Sequence, residues 1–106
     1  MSYRFMRILV MFDLPTVSSA EKREYRKFRK YLIMIGFQML QESVYSKLVL
    51  NTTSANLIMN NIRNNKPPEG SLFMLTITEK QFAKMEVLVG EKHSEVIDTT
   101  ERIIIL

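Results

Sequence analysis

Asp13 stands at the end of the apolar run Ile8-Leu9-Val10-Met11-Phe12 and immediately before Leu14-Pro15. An unbroken apolar run of this length reads as a strand buried on both faces. The residue before a proline is pushed out of helical geometry, so the run stops there. A carboxylate at such a terminus is rigidly mounted yet open to solvent, which suits cation binding or acid–base chemistry. An Asp ahead of a proline also organises turns through its own side chain, and the local pattern fits both roles. As a lone group it is a thin constellation for catalysis. The only histidine, His93, lies far along the chain in the aperiodic polar segment Glu91 to Thr100, so no general base accompanies it.

The second group with chemical meaning is basic. Lys22, Arg23, Arg26, Lys27, Arg29 and Lys30 fall within nine positions that contain only one acid, Glu24. On a helical wheel Arg23, Arg26, Lys27 and Lys30 form one stripe, with Lys22 and Arg29 on its flank. Tyr25, Phe28, Leu32 and Ile35 line the opposite face at spacings of three and four. Local pairs cannot neutralise six bases, so the stripe suits a polyanion better than an ordinary solvated helix face would. The net charge of +4 conceals a division in the chain. Residues 1–66 carry eleven Lys/Arg against four Asp/Glu, and residues 67–106 carry four against seven.

The elements that must position these groups follow from the sequence. The chain's 106 residues, 46% of them hydrophobic, suit a single domain over 1–106. No cysteine is present, which removes disulfides and thiolate metal sites and is compatible with a reducing, cytoplasmic setting. No apolar stretch approaches a membrane span, so no membrane partner is expected.

After the first strand, Ser18-Ser19-Ala20-Glu21 spells a capping box, and Gly36 closes the helix it opens. The apolar alternation then changes phase near Gln41-Glu42-Ser43, which predicts two short strands joined by a bend. Asn51 to Ser54 cap a second helix carrying Ala55, Ile58, Met59 and Ile62. Leu72 to Ile77 is apolar nearly throughout and is expected beside the first strand at the sheet centre. Thr78-Glu79-Lys80-Gln81 is a second capping box, and Val87-Leu88-Val89 reads as a short strand ending at Gly90. The chain closes on Arg102-Ile103-Ile104-Ile105-Leu106, a strand at about residues 101–106 whose bare edge is expected to pair across a subunit interface.

The order β-α-β-β-α-β predicts an α+β, ferredoxin-like (split βαβ) sandwich, with two main helices on one face of an antiparallel sheet and a C-terminal edge strand. The other sheet face needs a cover, and a second copy of the chain is the simplest one. An RNA-recognition domain is disfavoured, because Leu72 to Thr78 lacks its glycine and stacked-aromatic signature. Three glycines are too few for a glycine-rich phosphate loop.

The strand ending in Asp13, Tyr25-Arg26-Lys27-Phe28-Arg29-Lys30-Tyr31-Leu32, Gly36-Phe37, Gln41-Glu42-Ser43-Val44-Tyr45 and Thr78 to Met85 together resemble the CRISPR-associated protein two family, closest to members from type II-A systems. The resemblance spans essentially the whole chain. It implies a homodimer active in CRISPR adaptation. In that setting it joins the CRISPR-associated protein one integrase in a heterohexamer, and double-stranded DNA lies across its basic surface as new spacers are captured. It also implies a Mg2+-dependent endonuclease acting on RNA or DNA, with Asp13 of both subunits as catalytic and metal-binding residue. Arg23 or Arg26 would then help to stabilise charge on the phosphate. Gln41, Ser43 and Tyr45 carry the family's Gln-x-Ser-Val-aromatic motif and are expected, with Ile103, Ile104 and Ile105, at subunit interfaces.

Overall fold

A computed structural model describes residues 5–92. The elements run β1 (Met6–Asp13), α1 (Ser19–Met34), β2 (Gln38–Gln41), β3 (Val44–Val49), α2 (Thr52–Asn64), β4 (Ser71–Thr78) and α3 (Glu79–Ala83). The four strands form one sheet in the order β2-β3-β1-β4, and every neighbouring pair is antiparallel. This is the ferredoxin-like α+β plan that the element order predicts. Among the described residues no helix is long and apolar enough to cross a membrane.

Local signals set the ends of α1. Ser18 accepts the Glu21 N–H on its hydroxyl at 3.1 Å, and the Glu21 carboxylate accepts the N–H groups of Ser18 and Val17 at 2.9 Å each. These bonds hold the Glu21 carboxyl below its ordinary 4.5, the Ser18 amide contributing most. At the other end Gly36 takes a φ of +102°, and Gly36 and Phe37 donate to the carbonyls of Ile33 and Leu32. That is the Schellman closure, in which a glycine turns left-handed to satisfy orphan carbonyls. Asn51 caps α2 by accepting the Ser54 N–H at 2.8 Å.

One face of the sheet meets the two long helices. Ile8, Val10 and Phe12 of β1 and Tyr45 and Val49 of β3 pack with Phe28 and Leu32 of α1 and Ala55 and Ile62 of α2. Phe12 is the hub. Its ring meets Phe28 edge-on at 5.3 Å and Tyr25 at 5.9 Å, and stacks on Tyr45 at 5.7 Å. Burying three further rings around one gives contacts of a geometry worth about 1 kcal/mol each beyond area burial.

The phase change at Gln41–Ser43 does resolve into two strands, joined at Glu42-Ser43. Ser43 adopts a φ of 67°, and the β2–β3 register shifts between Met39 and Gln41. The stretch Leu72 to Ile77 does pair with β1, but β4 is an edge strand rather than a central one. Its apolar continuity has two separate causes. Leu72 and Met74 pack against the helix-covered core, whereas Phe73 and Leu75 point to the opposite face and are 63% and 50% exposed. Val87-Leu88-Val89 forms no strand, and all three side chains are exposed, because no strand of the described chain lies beside them to complete a ladder. The expected C-terminal strand with Ile103, Ile104 and Ile105, and His93, lie outside the described residues.

A charged pair fixes α3 across the sheet. Arg7, inside the apolar run of β1, is 1% exposed, and its Nε and Nη2 donate to the two carboxylate oxygens of Glu79 at 2.6 and 3.2 Å. Its guanidinium also lies 4.4 Å from the centre of the buried Phe82 ring. Removing Glu79 takes a bidentate carboxylate away from a buried charge, which is destabilising. Because Glu79 is partly solvated, Glu79→Ala is expected to cost about 2 kcal/mol, toward the low end for buried pairs. Urea unfolding midpoints of the single variant and of Arg7→Met/Glu79→Leu check this, and the double variant should recover most of the loss.

Candidate nucleic-acid interface and strand-end carboxylate

The six bases of α1 are all exposed, as the wheel predicts. No ion pair joins any of them to another described residue. The capping box uses the Glu21 carboxylate on backbone amides, which leaves Glu24 as the one acid among the bases. The stripe is thus an unneutralised field mounted on a helix whose opposite face is locked into the core. Arg29 differs from the others because its cation acts on the phenol of the buried Tyr45.

Tyr45 is 1% exposed and stacked on Phe12, so the side chain expected at a subunit interface is enclosed in its own protomer's core. Burial pushes its phenol above the ordinary 10.0, with the Arg29 cation acting in the opposite direction. The folded chain therefore keeps a proton that the unfolded chain releases near pH 10. Stability from this group is complete below that pH and is lost as pH rises beyond it. Tyr45→Phe should flatten the alkaline decline of the thermal midpoint measured from pH 9 upward. Ser43 and Gln41 flank the β2–β3 turn, where the Ser43 carbonyl accepts the Phe12 N–H at 3.0 Å. The motif carrying these residues thereby ties the turn to the end of β1.

Asp13 is exposed at the last position of β1, opposite Ser71 of β4. Strand alternation sets it with Arg7, Leu9 and Met11 on the face away from α1. Asp13 and the bases of α1 consequently leave the sheet on opposite faces. The expectation that Arg23 or Arg26 assists at Asp13 is not met within one protomer. No group of three or more His, Cys, Asp or Glu side chains able to hold a metal occurs among the described residues.

The backbone at Asp13 is tightly held. Gly70 has a φ of +97°, and a Cβ there would come within 2.6 Å of the Asp13 carbonyl oxygen and 2.8 Å of Leu14 Cδ2. The sequence offers a hint of this in Pro67-Pro68-Glu69-Gly70, a loop with a left-handed glycine, but not that the loop presses on the strand end. Arg7, a charge at the head of an apolar strand, is the sequence's signal for a buried partner, but nothing near it names Glu79.

Comparison with known proteins agrees with this arrangement. Residues 6–85 match the family described as CRISPR associated protein Cas2. Relatives named CRISPR-associated endoribonuclease Cas2 include one from Treponema denticola, 52% identical over 95% of this chain and 100% of its own length. Another, from Streptococcus mutans serotype c, is 44% identical over 95% of this chain and 93% of its own length. A solved structure titled "Crystal structure of cas2" superposes with a TM-score of 0.56, covering 89% of this chain and 97% of the other at 15% identity. That last likeness concerns the fold alone, whereas the sequence matches extend from the β1 carboxylate through the basic helix to α3. On those matches the chain belongs to the Cas2 family of CRISPR-associated proteins.

Proposed function

We propose that the protein is a homodimeric DNA-binding scaffold of CRISPR adaptation, holding duplex DNA while the CRISPR-associated protein one integrase inserts it as a new spacer. The observation that carries this reading is the stripe of exposed bases along α1, none of them ion-paired among the described residues. Phosphate contacts from such a stripe, repeated on two protomers, bind duplex with little sequence preference and need no catalytic group. Dimerisation draws support from the second sheet face, where Phe73 and Leu75 stand exposed although α3 covers Arg7 on the same face. Purified integrase is expected to insert a short duplex into repeat DNA when supplied with the protein, and to do so equally with a dimeric Asp13→Ala variant. Loss of insertion with dimer and DNA binding intact would move the mechanism to Asp13.

A second reading, a Mg2+-dependent endoribonuclease, is favoured by the exposed Asp13 at the end of β1 and by the names of the relatives. Mg2+ takes oxygen ligands and retains several waters, so one Asp13 from each protomer fits it as a sparse, water-completed site. The ion would supply Lewis-acid stabilisation of charge on the phosphate. The chain's own contribution is orientation, the Gly70 loop fixing the Asp13 backbone.

A further inference from the structure

The loop after α2 folds over the turn that ends β1, and together with the start of α1 it encloses a hollow. The hollow is lined by the apolar Leu14, Pro15, Ala20, Pro67 and Pro68 together with Glu21, Glu24 and Glu69. All three prolines of the chain line it. The cavity measures about 210 Å3, which suits one apolar side chain and falls short of the roughly 300–1,000 Å3 of small-molecule pockets. It is preformed. Proline rings fix the backbone of its lining, and Gly70 is packed directly against Leu14. An occupant would therefore meet little ordering cost in the site itself.

Charge selects the occupant. Three of the eight lining residues are acidic and none is basic. A nucleic-acid backbone is repelled there, although the same helix presents its bases elsewhere. The chain's own segment after Lys92 carries Glu95, Asp98 and Glu101 against Arg102, so it is repelled as well. What complements a slot lined by apolar and acidic residues is an apolar side chain flanked by cations.

We propose that this hollow docks a partner polypeptide, which inserts one apolar side chain among the prolines and sets Arg or Lys against Glu24 and Glu69. Helix α1 then separates two kinds of contact, with polyanions on its basic stripe and a basic protein segment at its acidic first turns. The proposal stands apart from the reading of the protein as scaffold or nuclease, because neither needs this cavity.

The test uses the purified full-length protein and a displayed library of random short peptides. Enriched peptides are expected to share an apolar residue flanked by Arg or Lys. A synthetic peptide of the enriched sequence should shift the amide resonances of Leu14, Ala20, Glu24 and Glu69. Its affinity should fall at least about tenfold in Ala20→Phe, which fills the slot, and in Glu24→Gln/Glu69→Gln, which removes lining charge. Circular dichroism and the urea unfolding midpoint, unchanged in both variants, establish that each is folded. The proposal is overturned if no peptide enriches, if the enriched peptides lack the basic–apolar pattern, or if both variants bind them as the parent does. It is overturned equally if Ala20→Phe abolishes self-association of the protein, since the occupant would then be a second copy of the chain.

Discussion

Replacing Arg23, Arg26, Lys27 and Lys30 by glutamate is expected to weaken binding of a short DNA duplex at least about 100-fold near 0.1 M salt. All four side chains are exposed and none pairs with an acid among the described residues, so reversal removes attraction without breaking a described ion pair. Binding that rests on phosphate contacts falls with salt on a logarithmic slope of about 0.9 per contact. The variant should therefore be weaker and also less salt-sensitive, and fluorescence anisotropy over a salt series reads both quantities. Arg29 is left in place because its charge acts on the buried Tyr45 phenol as well as on solvent. The control reverses Lys80 and Lys84, exposed bases at α3 away from the stripe. It changes net charge by half as much, and affinity should drop by less than about threefold if position rather than bulk charge governs binding. Equal losses per charge in the two variants would mean that DNA is attracted by the whole field and that α1 is no particular surface.

The parts of this fold that are legible in the sequence are those decided within a few residues. Helix α1 begins at a capping box and ends at a left-handed glycine, so Ser18, Glu21 and Gly36 announce its limits without reference to the rest of the chain. The capping box of Thr78 and Gln81 announces α3 in the same way. What the sequence conceals depends on distant partners. An apolar β4 reads as a central strand because periodicity reports burial on two faces and cannot say which molecule does the burying. In the protomer its outer face, with Phe73 and Leu75, is open. Val87-Leu88-Val89 has strand composition for the same reason and finds no partner strand among the described residues. The pairing of Arg7 with Glu79 spans 72 positions, and the two residues carry no local mark of each other. Asp13 is legible as a strand-end carboxylate. That it leaves the sheet opposite the basic helix is a matter of strand parity, which follows once the sheet face that α1 covers is known.

Hydrolysis of RNA measured with Mg2+ is expected to fall at least about 100-fold in Asp13→Ala, while duplex binding without Mg2+ changes less than about twofold. The separation follows from geometry, since Asp13 and the α1 stripe lie on opposite faces of the sheet. Truncating an exposed side chain away from any core contact costs within about 0.5 kcal/mol, so the variant should unfold at nearly the parent midpoint. Asp13→Asn sharpens the test because it keeps a turn-forming side chain but removes the negative charge. If the carboxylate acts as a cation ligand, Asn and Ala variants should be equally inactive. Chelating the Mg2+ should bring the parent protein down to the same level. If Asp13 instead only organises the turn before Pro15, Asn should retain activity that Ala loses. Two facing carboxylates at a dyad also repel one another unless a cation lies between them. A dimer built that way should therefore be tightened by Mg2+ in the parent and be indifferent to it in Asp13→Asn, which sedimentation at varied Mg2+ resolves. Full hydrolysis by Asp13→Ala would place the reaction on other residues and leave the strand-end carboxylate as a turn former.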